Sequence, residues 1–63
     1  MLLHFTDANT QKTVAVNSKY VVVVFTNTSE DGTEQTVINT TTGNLVVPDA
    51  YLDVIGRLNA EAN

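Results

Sequence analysis

The sequence predicts an α+β protein: a four- to five-stranded antiparallel meander sheet with one C-terminal amphipathic helix packed on one face. Three observations carry this. Short runs rich in Val and Thr, residues that suit a pleated strand, recur through the first three quarters of the chain. Clusters of Asn, Asp, Gly and Ser separate them at hairpin distances. After Pro48 the apolar period changes from strand-like to helical.

Taken in order, LLHFT (2–6) reads as the first strand and DANTQ (7–11) as a turn without large apolar residues. KTVAV (12–16) alternates, with Val14 and Val16 on one face, and is predicted to pair with the first strand as a hairpin. NSK (17–19) is a tight corner where Asn17 suits an Asx-turn. YVVVVFTN (20–27) is the central strand. TSEDGTE (28–34) is a polar loop whose Asp31-Gly32 pair is a hairpin signal. QTVINT (35–40) follows, then the turn TTGN (41–44), with Gly43 free to take a positive φ, and the short strand LVV (45–47).

In the last segment Tyr51, Val54, Ile55 and Leu58 fall at i, i+3, i+4 and i+7, one face of a helix over about 49–59. Asp49 is predicted as its N-cap, or as a first-turn acid behind Pro48, and Arg57 as a cation near its C-terminal end. A helix of roughly ten residues does not persist alone in water. Its apolar face must dock, and the sheet is the surface at hand. Residues 1–63 are therefore read as one domain.

The central strand does not alternate. In a regular strand Val21, Val23 and Phe25 point one way, and Tyr20, Val22 and Val24 the other. One helix covers one face. Burying a Val is worth roughly 1.5–3 kcal/mol, so leaving three such side chains wet forgoes several kcal/mol in a domain of this size. Either the sheet curls into a partly open barrel, or its second face packs on another subunit, or the valines serve only as good strand residues and one face is partly wet. The short N-terminal strands favour association, as a dimer or higher closed homo-oligomer. Tyr20, Val22 and Val24 are the predicted interface.

Composition narrows the function. A chain of 63 residues buries only about 60% of its unfolded surface, so it needs an unusually good core or a partner. Cysteine is absent and histidine occurs once, which excludes disulfides and thiolate metal sites and argues against a histidine-based one. Seven acids against three bases give a net charge of −4. With only Lys12, Lys19 and Arg57 to neutralise phosphates, nucleic acid is not expected as a partner. The apolar runs fall far short of the roughly 20 residues of a membrane span, and MLLHFTDANT lacks the basic region of a secretory signal. A cytoplasmic location is expected, and no membrane partner.

The order of features resembles a known family. VAVNSKYVVVVFT, a polar hairpin loop, TVINTTTGNLVV and the acid-led helix DAYLDVIGRL are together similar to the FlbD-type small proteins of flagella and swarming motility, over about residues 12–58. The loop at 28–34 is longer here, and the strand after it lacks the expected acids. The resemblance implies a β-rich fold with a final helix, and a regulatory or assembly role. It brings no catalytic or ligand residues. The size and the Thr/Asn-rich composition also suit a phage-encoded protein.

No residue pattern calls for catalysis. His4 alternates with Leu3 and Phe5 and shares a face with Leu2 and Thr6. Ser18, Ser29 and Asp7 are the candidate partners of the imidazole, and no spacing selects one. Glu30, Asp31 and Glu34 surround Gly32, but the spacing of a calcium loop is missing. They read as a solvated hairpin tip, a contact for a basic protein partner. Tyr51 is expected to anchor the helix. The sequence thus points to a non-enzymatic interaction or regulatory protein, without cofactor or metal, that self-associates through its sheet and binds a larger protein. The alternatives are a phage-encoded inhibitor of a host protein and a minor structural component of a phage particle.

Overall fold

The computed structural model describes residues 2–62. Five strands and one α-helix follow in the order β1 (Leu2–Thr6), β2 (Thr13–Asn17), β3 (Val21–Thr28), β4 (Glu34–Thr40), β5 (Gly43–Val47) and α1 (Tyr51–Ala62), with a 3-10 turn at Ser18–Tyr20. All pairings are antiparallel, and α+β is the fold class. The strands do not form one meander, however. They divide into a two-stranded sheet, β1–β2, and a three-stranded sheet, β3–β4–β5.

The break lies at the corner after β2. Asn17 accepts a hydrogen bond on its side chain from the Lys19 N–H at 3.0 Å, and the chain makes one 3-10 turn before β3 begins. β3 then enters a different sheet from β2. The hairpin then lies on the inner face of the larger sheet instead of extending it. The core forms between them. Leu3, Phe5 and Val16 of the hairpin, Ile38 and Val47 of the sheet and Val54 of α1 make one buried cluster, edged by Val14, Val21, Val24, Leu45 and Leu58. So the inner face is sealed by the hairpin and the helix together, where the sequence suggested the helix alone.

Two turns hold the larger sheet in register. The Ser29 carbonyl accepts from the Gly32 N–H at 3.0 Å, and Gly32 sits at φ +86. This is the three-residue hairpin loop that ends in a left-handed glycine, where a Cβ would be strained. It sets Thr28 opposite Glu34 and carries the pairing down to Val24–Ile38. Thr41 and Thr42 then turn the chain, so that Gly43 pairs with Thr40 and β5 starts two residues before the predicted Leu45.

The helix begins at Tyr51, later than predicted, and runs on to Ala62. Thr36, almost fully buried, donates its hydroxyl to the Asp49 carbonyl at 2.7 Å. That bond ties residue 49 to β4, and the first helical acceptor is the Ala50 carbonyl, bonded by the Val54 N–H at 3.0 Å. Asp49 is therefore not the N-cap. Arg57 is mid-helix and reaches sideways to β1, not to the C-terminal carbonyls. Val54 is fully buried, and Ile55 and Leu58 are half-buried, as the period implies. Tyr51, the first residue of the helix, is 38% exposed and only partly covered.

Candidate interaction surface

The valine run contains a β-bulge. Val21 pairs with Thr40 and Val23 with Asn39, which leaves Val22 without an opposite residue. A bulge reverses the alternation on its far side. Val21 and Val24 therefore share the inner face and pack on the core, while Val23 and Phe25 turn outward. This corrects the grouping read from strict alternation. Of the three residues assigned to an interface, Tyr20 and Val22 are exposed, but Val24 is half-buried against the core opposite Ile38. Val23 and Phe25 take its place outside, at 49% and 44% exposure.

The outer face follows from the register. Phe25 pairs with Val37, and Val37 with Val46, so three apolar side chains form a row across the sheet. Val37, between Phe25 and Val46 in the ladder, is buried. Val23 extends the row at its β3 end. Polar residues frame it: Asn27 pairs with Gln35 on one side, and the Asn39 amide donates to the Asn44 side chain on the other. No charged side chain stands among these eight positions, although the chain carries −4. An uncharged apolar patch with an amide rim is the composition of an interface centre.

The edge of β3 is open as well. β3 hydrogen-bonds to β4 alone. Its eight residues, VVVVFTNT, contain none of the Lys or Pro residues that commonly protect an edge, and the Val22 bulge is the one interruption.

The acidic loop is built differently from a simple charged tip. The Asp31 carboxylate accepts from the Ser29 hydroxyl and from the Thr33 N–H at 2.9 Å. These hydrogen bonds, that of Ser29 first and that of Thr33 second, lower its pKa to about 2. Asp31 is thus engaged in closing its own loop. Glu30 and Glu34 are exposed beside it.

His4 is exposed on the outer side of the hairpin, and its backbone carbonyl accepts from Arg57 at 2.7 Å. Asp7 spends its carboxylate on the N–H groups of Asn9 at 2.7 Å and Thr10 at 3.3 Å, inside the first turn. Among the described residues no three His, Asp or Glu side chains converge as a metal site, and no helix is long and apolar enough to cross a membrane. An open cleft of about 490 Å³ lies between β2 and β5, with Val14, Val16 and Leu45 among its walls and Asn17, Thr40 and Asn44 among its polar groups. A second, of about 520 Å³, separates the β3–β4 end from the start of α1 at Pro48–Leu52.

Sequence reasoning missed Val23, Phe25, Val37 and Val46. The signal was the Asp31-Gly32 turn. Counting outward from a three-residue loop closed by Ser29 and Thr33 puts Phe25 opposite Val37 and Val24 opposite Ile38. Comparison of the chain with family models, with curated proteins and with solved structures finds no match.

Proposed function

We propose that this is a non-enzymatic interaction protein that self-associates through its three-stranded sheet and binds a larger protein partner. The observation that supports it is the outer face: Phe25, Val37 and Val46 in one row, with Val23 beside them, and Val23 and Phe25 left 49% and 44% exposed. Burial of a large apolar side chain is worth roughly 1.5–3 kcal/mol, and Val23 and Phe25 gain much of that only when another surface meets them. The regulatory or assembly role implied by the resemblance to FlbD-type proteins belongs to the same proposal. Glu30 and Glu34, exposed at the far end of the β3–β4 hairpin, are the contact offered to a basic partner.

Light scattering at micromolar concentration tests the first half. The expected mass is a multiple of the 6.8 kDa chain. Val23→Lys, which puts a charge on the outer face without touching the core, is expected to return it to one chain with its circular dichroism unchanged. A native chain that is monomeric at that concentration overturns self-association. For the second half, affinity capture from a bacterial lysate is expected to recover one larger protein at fixed ratio. Its recovery should fall with Glu30→Lys and Glu34→Lys, and equal recovery by both variants removes the acidic tip from the contact.

A further inference from the structure

The pattern of free backbone groups on β3 says how two copies meet. The Ser29 N–H donates to the Thr33 carbonyl at 2.8 Å, so these two residues form a hydrogen-bonded pair. Antiparallel ladders alternate hydrogen-bonded with non-hydrogen-bonded pairs. Counting back along the register, Asn27, Phe25 and Val23 bond to β4. The N–H and C=O groups of Val24, Thr26 and Thr28 therefore point away from β4, along the open edge. They form a regular ladder half, and backbone polar groups of this kind seek partners wherever water is excluded.

The geometry points to a symmetric dimer in which β3 pairs antiparallel with β3 of a second copy, centred on Phe25; this rests on the self-association proposed above but places its contact at the β3 edge of the sheet, with the outer faces of both copies left side by side and uncovered. A two-fold axis perpendicular to the sheet keeps inner faces inner and outer faces outer. Residues with outward backbone groups must then pair with one another. Centring on Phe25 satisfies this, because Val24 falls opposite the second copy's Thr26, and Thr26 opposite its Val24. Phe25 meets Phe25 in a non-hydrogen-bonded pair, with Cα atoms about 4.5 Å apart. The two outer rows then join into one apolar stripe, Val46–Val37–Phe25 continuing into its symmetry copy, across a six-stranded sheet.

Charge selects the same partner. β3 itself is uncharged, so two chains of net charge −4 approach along a neutral line. Lys19 stands exposed just before β3, and Glu30 just after its far end. Antiparallel pairing carries each Lys19 to the acidic tip of the other copy, twice by symmetry. Eight residues at about 3.3 Å each give an edge of about 26 Å, which places the two attractive ends well clear of the central Phe25 pair. The contact also closes, because each copy uses its β3 edge once.

Hydrogen exchange of the unaltered chain reads the edge directly. At a concentration where light scattering reports a dimer, the amides of Val24, Thr26 and Thr28 should exchange at least about tenfold more slowly than in a dilute sample. A chain with Phe25→Cys, its sole cysteine, should form a disulfide-linked dimer on mild oxidation, since a non-hydrogen-bonded pair brings the two Cβ atoms within bridging range. A dimer by mass in which these three amides exchange freely overturns the edge pairing and leaves association through the outer face standing. Protected amides with crosslinking at Thr26→Cys but not at Phe25→Cys overturn the register. A monomer at every concentration overturns the self-association reading itself.

Discussion

The Arg57 guanidinium sits over the Phe5 ring, its central carbon 4.2 Å from the centroid, and so joins the middle of α1 to β1. The same group donates to the His4 carbonyl at 2.7 Å and stands 3.9 Å from the Asp49 carboxylate. Helix, first hairpin and the segment before the helix thus meet at one side chain. The Asp49 pair is loose and partly exposed, which makes it a minor contributor. The ring contact and the carbonyl bond carry more, about 1–3 kcal/mol together.

Replacement of Arg57 should therefore loosen the helix more than a surface charge usually does. Arg57→Ala is expected to lower the unfolding free energy by about 1–3 kcal/mol in urea titration. Arg57→Lys keeps the charge but loses the guanidinium's broad contact with the ring and its fork of donors, and it should recover less than half of that loss. A Lys variant as stable as the native chain would assign the contact to charge alone.

Asp31 gives the β3–β4 loop a dependence on acid. Its folded pKa, about 2, is below the ordinary aspartate value, because the Ser29 hydroxyl and the Thr33 N–H bond to the ionised form. A depressed carboxylate stabilises the fold above its unfolded pKa, and that contribution fades as pH falls through the folded value. The loop should thus be held fully above about pH 4 and loosen between about pH 4 and 2. An NMR titration of the Thr33 amide is expected to follow this curve with a midpoint near the folded pKa, and Asp31→Asn should flatten it. A Thr33 titration centred near 4 would mean that the carboxylate is free.

The same loop separates what the residues declare from what they conceal. Strand identities, the turns at Asp31-Gly32 and Gly43, the Asx-turn at Asn17 and the helical period were legible, since each depends on neighbours a few positions apart. The division into two sheets was not, because it depends on how far one 3-10 turn at Ser18–Tyr20 rotates the chain. Nor was the bulge. Four consecutive valines carry no mark of which one is extra, and only Thr40, Asn39 and Ile38 across the ladder decide it. The Asp49 cap failed for a similar reason. A distant buried hydroxyl, that of Thr36, claims the residue's carbonyl and delays the helix.

Val22 and Val24 turn that hidden register into a measurement. Under strict alternation they share a face, and the same substitution should affect both alike. With the bulge they do not. Val24 is half-buried opposite the fully buried Ile38, whereas Val22 is 62% exposed and has no residue across from it. Thr preserves the β-branched shape, so strand propensity hardly changes at either site. What changes is the hydroxyl, which costs about 1–3 kcal/mol where it is buried without a partner and little where water reaches it. Val24→Thr is expected to lower stability by about 1–2 kcal/mol, while Val22→Thr should stay within about 0.5 kcal/mol of the native chain. Both should be unfolded at one fixed protein concentration, because association adds to apparent stability by mass action. Equal losses at the two positions would restore the regular strand and return Val22 to the face of Val24. A large loss at Val22 alone would put that side chain inside and turn the outer row of Val23 and Phe25 toward the core.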